Sequence, residues 1–343
     1  MSKKIIVIII GILLVVGFTT GYSYYNKIYK ENISTNNSIY IPTDATFDLV
    51  TKLVTPYLKN KEAFIWVAKQ KNYPNKIKAG RYEIKKGMSN SDLVNLLRSG
   101  NQIPIKVSFN NQDTVEKLAG RISEQIEADS TAILNAITDL DFLKKNNFTN
   151  ANILGIFVPN SYEFYWNTSA EKFRDRMLKE YYVFWNKDRI NKAKKLNLTK
   201  KEVITLASIV QKETATVSER PVVAGLYLNR LRSKWALGAD PTIIFALKQK
   251  FGQEKIFKRV LNKDLTINSP YNTYTNTGLP PALISMPDIS SIDAVLNNLR
   301  HDYYYMCASV TKIGYHEFAK TLAQHNRNAT KYHQWINKQG INR

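Results

Sequence analysis

The chain reads as an α+β protein, rich in helix, behind a single apolar amino-terminal segment. Three observations point that way: apolar residues recur at helical spacing through most of the second half; short β-rich stretches bounded by turn residues occupy the first third and a region near the carboxy terminus; and no acid precedes Glu31. At 343 residues the chain can bury a sizeable core and form more than one domain.

Lys3 and Lys4 precede an uncharged run from Ile5 to Asn26, apolar through Phe18 and closing with Tyr22, Tyr24 and Tyr25. That length matches one crossing of a bilayer, and tyrosines suit its interface. No A-x-A-like cleavage site follows, and no cysteine is present there to accept a lipid, so an uncleaved anchor is expected over a signal peptide. Residues 1–4 then start in the cytoplasm, 5–26 cross the membrane, and the bulk lies on its extracytoplasmic side, although Lys27 and Lys30 weaken the charge asymmetry. Residues 27–37, polar from Glu31 onward, read as a linker.

Formal net charge is +21, and it is still +17 without the four lysines of the first 30 residues. Such a surplus favours an anionic neighbour. The lysines are scattered and no standard nucleic-acid motif occurs, so nucleic acid is not expected; cell-wall polymers and lipid headgroups suit an exported, anchored chain better. The lone cysteine, Cys307, forbids an internal disulfide and is expected as a small core residue within YYYMCAS.

Three weakly similar strand-then-helix units follow: IYIP with TFDLVTKLV, GRYEIKKGM with SNSDLVNLLRSG, and IKVSFNN with QDTVEKLAGRI. From about Asp129 to Lys195 the pattern is mainly helical, broken at Gly155 and Pro159. Two longer helices are expected at Lys200 to about Glu213 and Glu219 to Ser233, the second capped by Ser218 with Pro221 in its first turn. Asp240 followed by Pro241 opens another as a cap, and Gly252 stops it. A proline-rich loop, LPPALISMP, then leads to a helix after Ser290, the strand-like DYYYMCASV, a turn, and a final helix from about Glu317.

Glu213 is a candidate general acid. The helix before it opens with Thr199 and Glu202, a capping box in which each side chain satisfies a free backbone N–H. Val210, Ile209 and Leu206 lie three, four and seven residues back, so the carboxyl shares an apolar face. Desolvation there raises a carboxyl pKa toward neutrality, as proton donation requires, whereas a side chain bending out to water from the last turn would behave as an ordinary carboxylate. Downstream stand Asn229, Arg230, Asp240, Thr242 and the loop SPYNTYTNTGLPP with Tyr271, Asn272 and Thr273. Such side chains grip sugar hydroxyls and N-acetyl groups, and equally serve to satisfy a turn's own backbone. The four histidines fall at no metal-ligand spacing, so neither metal nor cofactor is expected. Neither G-x-S-x-G nor a phosphate-cradling glycine loop occurs.

In order, ASIVQKET, SERPVVAGLYLNRL, GADPTIIFAL, SPYNTYTNTGLPP and YHEFAKTLAQHN resemble the motifs of the YceG-like endolytic murein transglycosylases. KAGRYEIKKGMSNSDLVNLLRSG and LGIFVPNSYEF extend the resemblance over nearly everything after the anchor. It implies a membrane helix, a LysM-like domain over 38–105 and a catalytic domain over 106–343, with Glu213 as catalytic acid. Many members carry a second glutamate two positions earlier, where this chain has Gln211; Ala282-Leu283 and Asn160-Ser161 replace Gly-Pro and Asp-Thr.

The implied reaction needs one carboxyl. Glu213 protonates the oxygen between N-acetylmuramic acid and N-acetylglucosamine, then takes the proton of the muramic C6 hydroxyl as it closes a 1,6-anhydro end. Asn229, Tyr271, Asn272 and Thr273 are candidates to orient sugar or acid, and Arg230, Asp240 and Thr242 join them as substrate-binding candidates. The implied role is ending nascent glycan strands beside peptidoglycan synthases at the membrane. Two other readings stay open: a muramidase using Asp240 as second carboxylate, and a wall-binding scaffold that cuts nothing.

Overall fold

The computed structural model describes residues 3–257 and 259–338. It is an α+β chain, mostly helical with two-stranded sheets, that divides into two compact units.

The first unit comprises residues 1–107, 123–128 and 162–169. Helix α1 (Lys3–Tyr29) is long and apolar enough to cross a membrane, with mean hydropathy 2.6 over its richest window. Its end is tied down: the Tyr24 and Trp66 rings lie 5.2 Å apart, Lys27 sits over the Trp66 ring, and Asn90 Nδ2 donates to the Lys27 carbonyl at 2.8 Å. The stretch read as a linker is partly built into the fold. Asn32 and Ile33 are buried, and Asn32 Oδ1 accepts from the Asn60 N–H while its Nδ2 donates to Asn90 Oδ1.

Strand β1 (Asn37–Ile41) leads through α2 (Phe47–Val54) and α3 (Lys61–Gln70) to β2 (Gly80–Ile84) and α4 (Asn90–Ser99). The strands pair antiparallel, Asn37 opposite Ile84 and Ile41 opposite Gly80. Ile39, Ile41, Tyr82 and Ile84 face inward by strict alternation and meet Val50, Val54, Phe64, Leu93 and Leu97 from the helices. Ser89 and Asp92 form a capping box at the start of α4, and Gly100, at φ 76°, ends it.

The second unit comprises residues 108–122, 129–161 and 170–343. Along the chain from residue 105 come β3 (Ile105–Phe109), α5 (Val115–Ser123), α6 (Ser130–Ile137), α7 (Leu140–Lys145), β4 (Asn160–Phe164), α8 (Ala170–Phe184) and α9 (Lys187–Lys195), with β3 and β4 each having residues in both units. Next are α10 (Lys200–Glu213), α11 (Arg220–Arg232), α12 (Asp240–Phe251), α13 (Ile289–Leu296), β5 (Tyr305–Ala308), β6 (His316–Ala319) and α14 (Leu322–Lys338). Sheets pair β3 with β4 and β5 with β6.

Helix α10 is the axis of this unit, packed by α11, α12 and α13. The expected capping box is present: Thr199 Oγ1 accepts from the Glu202 N–H and the Glu202 carboxylate accepts from the Thr199 N–H. Every residue from Val203 to Val210 is buried, so a face reading as one stripe is enclosed on all sides.

Four local expectations are corrected. Helix α11 starts at Arg220 after a 3₁₀ turn, Val217–Glu219, and Ser218 does not cap it. Ala239 occupies the cap of α12, which leaves Asp240 as its first helical residue with a side chain free for other work. His316–Ala319 is a strand, and the last helix begins at Leu322, because the turn folds His316–Ala319 back on β5 with Tyr305 opposite Ala319. Cys307 is half-buried on β5 rather than a core residue.

Candidate active site

Glu213 is the last residue of α10, in the second unit; the residue is half-buried, with its carboxyl directed at Tyr227. Leu206, Ile209 and Val210, on the same face, are fully buried. The Tyr227 hydroxyl, on the facing side of α11, donates to Glu213 Oε1 at 2.6 Å. Burial, aided by the nearby Asp240 carboxylate, pushes the Glu213 pKa up, and the balance of all influences stands at about 7. The Tyr227 hydrogen bond and the cations of His316 and Arg230 oppose that rise, and burial outweighs them. The carboxyl is therefore divided between its acid and base forms near neutrality, where one group serves in both directions of proton transfer.

Asp240 reaches this cluster from the first turn of α12. The Tyr274 hydroxyl donates to Asp240 Oδ1 at 2.6 Å, so each of the two carboxylates is held by a tyrosine. Arg230 is close enough to act on Glu213 and is itself pinned: its Nε donates to the Tyr304 carbonyl at 2.8 Å, its Nη1 donates to the Leu237 carbonyl, and its guanidinium sits 6.0 Å from the Tyr227 ring centre.

The remaining candidates build the frame. Asn229 Nδ2 donates to the carbonyls of His301 and Tyr303 at 2.7 and 3.1 Å, tying α11 to the chain entering β5. Thr242 Oγ1 bonds to the Ala239 carbonyl and to Thr273 Oγ1, which also accepts the Ala239 N–H. Asn272 Nδ2 donates to Leu265 and Ile267, and its Oδ1 accepts from the Tyr274 N–H, which positions Tyr274 against Asp240. Tyr271 is buried against Phe245, with ring centres 4.6 Å apart. The structure thus gathers Glu213, Arg230 and Asp240 by charge, and places Asn229, Thr242, Tyr271, Asn272 and Thr273 in the supporting walls.

Sequence reasoning passed over Tyr227 and the Glu219–His316 pair. Tyr227 was hidden in an apolar helix stretch, though its position fourteen residues after Glu213 gives no local signal. Glu219 is buried and accepts from both the His316 N–H at 2.6 Å and its ring Nδ1 at 2.8 Å. Burial alone would lower the His316 pKa, but the Glu219 carboxylate, aided by Glu213, holds it above its usual value. Burial would likewise raise Glu219, and the bonds from His316 hold it below. Gln211 is structural: its Oε1 accepts from Ser291 Oγ at 2.6 Å and from the Asp288 N–H at 3.2 Å, joining α10 to α13. No group of His, Cys, Asp and Glu with metal-binding geometry occurs among the described residues.

The family model of the YceG-like family matches residues 39–331. Over 341 aligned residues the chain is 30% identical to the endolytic murein transglycosylase of Bacillus subtilis strain 168, covering 93% of this chain and 91% of that protein. With the endolytic murein transglycosylase of Streptococcus pneumoniae R6 it shares 30% identity over 305 residues, which is 80% of this chain but 54% of that protein. A 2.6 Å crystal structure of a yceG-like protein from Listeria monocytogenes is similar at 28% identity with a TM-score of 0.56, covering 85% of this chain and 98% of that one. The family match takes in all the residues of the carboxyl cluster, and the chain belongs to the YceG-like family.

Proposed function

We propose that the protein is an endolytic murein transglycosylase in which Glu213 is the catalytic acid and base. The observation that carries this reading is a carboxyl buried at the end of α10, held by Tyr227 and titrating near neutrality at about 7. Protonated Glu213 gives its proton to the glycosidic oxygen between N-acetylmuramic acid and N-acetylglucosamine as the C1–O bond breaks. The C6 hydroxyl of the muramic residue then attacks C1 and passes its proton to the Glu213 carboxylate. No water is consumed, the acid is regenerated, and the new end is a 1,6-anhydro sugar. The attacking hydroxyl is already part of the substrate, so proximity does much of the work.

Arg230 and Asp240 set the field around the acid, with Asn229, Thr242, Tyr271, Asn272 and Thr273 holding the walls that a glycan strand meets. The helix α1 acts as an uncleaved anchor, a reading supported by the contacts of its last turns with Trp66 and Asn90. The bulk of the chain then works outside the cytoplasmic membrane, close to nascent strands and the synthases that make them. Residues 38–105, with the β1–β2 pair and its helices, serve as a LysM-like wall-binding domain, and residues 106–343 as the catalytic domain.

A muramidase is the second reading, favoured by the exposed Asp240 carboxylate beside Glu213. Digestion of purified peptidoglycan by the full-length protein, followed by mass spectrometry of new glycan ends, separates the two. Anhydro ends are expected; reducing ends without them would replace the transglycosylase by the hydrolase, and intact strands would leave a binding scaffold.

A further inference from the structure

Helix α11 ends in a way that puts one aromatic side chain on the surface close to the carboxyl cluster. The Trp235 N–H donates to the Arg230 carbonyl at 2.9 Å and the Lys234 N–H to the Leu231 carbonyl at 3.1 Å, the two bonds of a Schellman stop. Lys234 takes the left-handed conformation at φ 55° that this stop requires, where a lysine is less at ease than glycine. The turn brings Trp235 onto the start of β5. Its ring lies 5.2 Å from that of Tyr304 and 5.7 Å from that of Tyr305, at steep angles of 60° and 73°. Trp235 nevertheless remains 44% exposed.

The backing is rigid. The Tyr304 carbonyl accepts from Arg230 Nε at 2.8 Å, its hydroxyl is bonded to Ser233 Oγ at 2.9 Å, and Tyr305 stacks on His325. The same Arg230 faces the ring of Tyr227, which holds Glu213. The Tyr304 ring and backbone carbonyl, the Arg230 guanidinium and the Tyr227 ring and hydroxyl thus lead from the exposed indole to the acid. Arg232 and Lys234 flank it in solvent.

We propose that Trp235, braced by Tyr304 and Tyr305, is a sugar-stacking platform that holds the murein strand at a subsite beyond the bond facing Glu213. The proposal rests on the murein reading of the site. One face of a pyranose ring is lined with C–H groups, which suit the electron-rich face of an indole. Stem peptides and lactyl groups bring carboxylates, which suit Arg232 and Lys234. A protein partner would call for a broad apolar patch, whereas here one ring is bounded by two cations and a hydroxyl pair.

The test uses full-length protein in detergent carrying Glu213→Gln, titrated with purified uncross-linked murein strands while tryptophan emission is followed. Strand binding is expected to change the emission, and most of that change should vanish with Trp235→Phe. Trp235→Ala should weaken affinity about 3- to 10-fold, with Trp235→Tyr close to the parent. Equal affinity for parent and Trp235→Ala, with an emission change untouched by Trp235→Phe, overturns the platform. The phenylalanine and tyrosine variants keep a ring on the Tyr304 face, so they decide the matter if the alanine variant does not fold. Failure of the function reads differently: a wild type that binds strands through Trp235 yet leaves them uncut keeps the platform and removes the transglycosylase. A wild type that cuts, with strand affinity indifferent to position 235, does the reverse. Absence of strand binding in every variant removes both.

Discussion

Tyr227 donates its hydroxyl proton to Glu213 Oε1 at 2.6 Å, so the group that locates the acid also favours its ionised form. Burial works the other way, and the balance leaves the carboxyl at about 7. An acid poised there can give up a proton and accept one within a single turnover at ordinary pH.

The basic limb of the pH profile of kcat/KM should therefore fall with a midpoint near 7 in the wild type. Tyr227→Phe removes a donor to the carboxylate and should move that midpoint upward. Asp240→Asn removes a repelling charge and should move it downward. A limb that stays in place in both variants would show that it reports some other group.

Glu213→Gln should lower strand cleavage by at least about 10²–10⁴-fold, the usual share of a general acid and base. The amide oxygen can still accept from Tyr227, so circular dichroism and the melting temperature should stay close to wild type. Residual cleavage equal to wild type would falsify the assignment of the acid.

The buried Glu219–His316 pair should make stability depend on pH from both sides. Glu219 is held below its ordinary value of 4.5, so its contribution is present above that pH and is lost as pH falls through the depressed folded value. His316 is held above its ordinary 6.5, so its contribution is present below that pH and is lost as pH rises through the elevated folded value. Thermal unfolding of wild type against Glu219→Gln should differ by ~1–3 kcal/mol between those two ordinary values and converge only below the depressed Glu219 value and above the elevated His316 value. A pH-independent difference would mean that packing, not charge, joins the pair.

Gly225, in the middle of α11, has no room for a methyl group. A Cβ there would lie 2.3 Å from the Leu299 carbonyl oxygen and 2.7 Å from His301 Nε2, so backbone must move. Gly225→Ala should cost about 1–3 kcal/mol in a denaturant midpoint, despite alanine's better helix propensity. A stabilised variant would place the segment after α13 farther away than it stands.

Gln211→Glu should keep activity, because a carboxylate can also accept from Ser291 and Asp288. Gln211→Ala strands both donors and should cost about 1–3 kcal/mol in stability. Loss of activity without loss of stability in the alanine variant would give this position a chemical part.

Much of the frame was legible because it is local. The capping box at Thr199 and Glu202, the stop at Gly252 and the apolar run of α1 are signals within one or two turns of chain, and all three are present. The errors share a cause. Ser218, Asp240 and His316–Ala319 each satisfied a local rule, and each was claimed by a partner far along the chain: Tyr315 for Ser218, Tyr274 for Asp240, Tyr305–Ala308 for the last.

By itself the sequence determined a helix-rich α+β chain behind one apolar helix, and it marked Glu213 as a carboxyl on an apolar face. Tertiary structure alone decided what surrounds that carboxyl: Tyr227 from α11, Asp240 with Tyr274, and the Glu219–His316 pair. It also turned Asn229, Thr242, Asn272 and Thr273 inward to backbone and neighbouring side chains. Helical periodicity and caps act over a few residues, whereas a pKa and a hydrogen-bond partner depend on which distant segments meet in space.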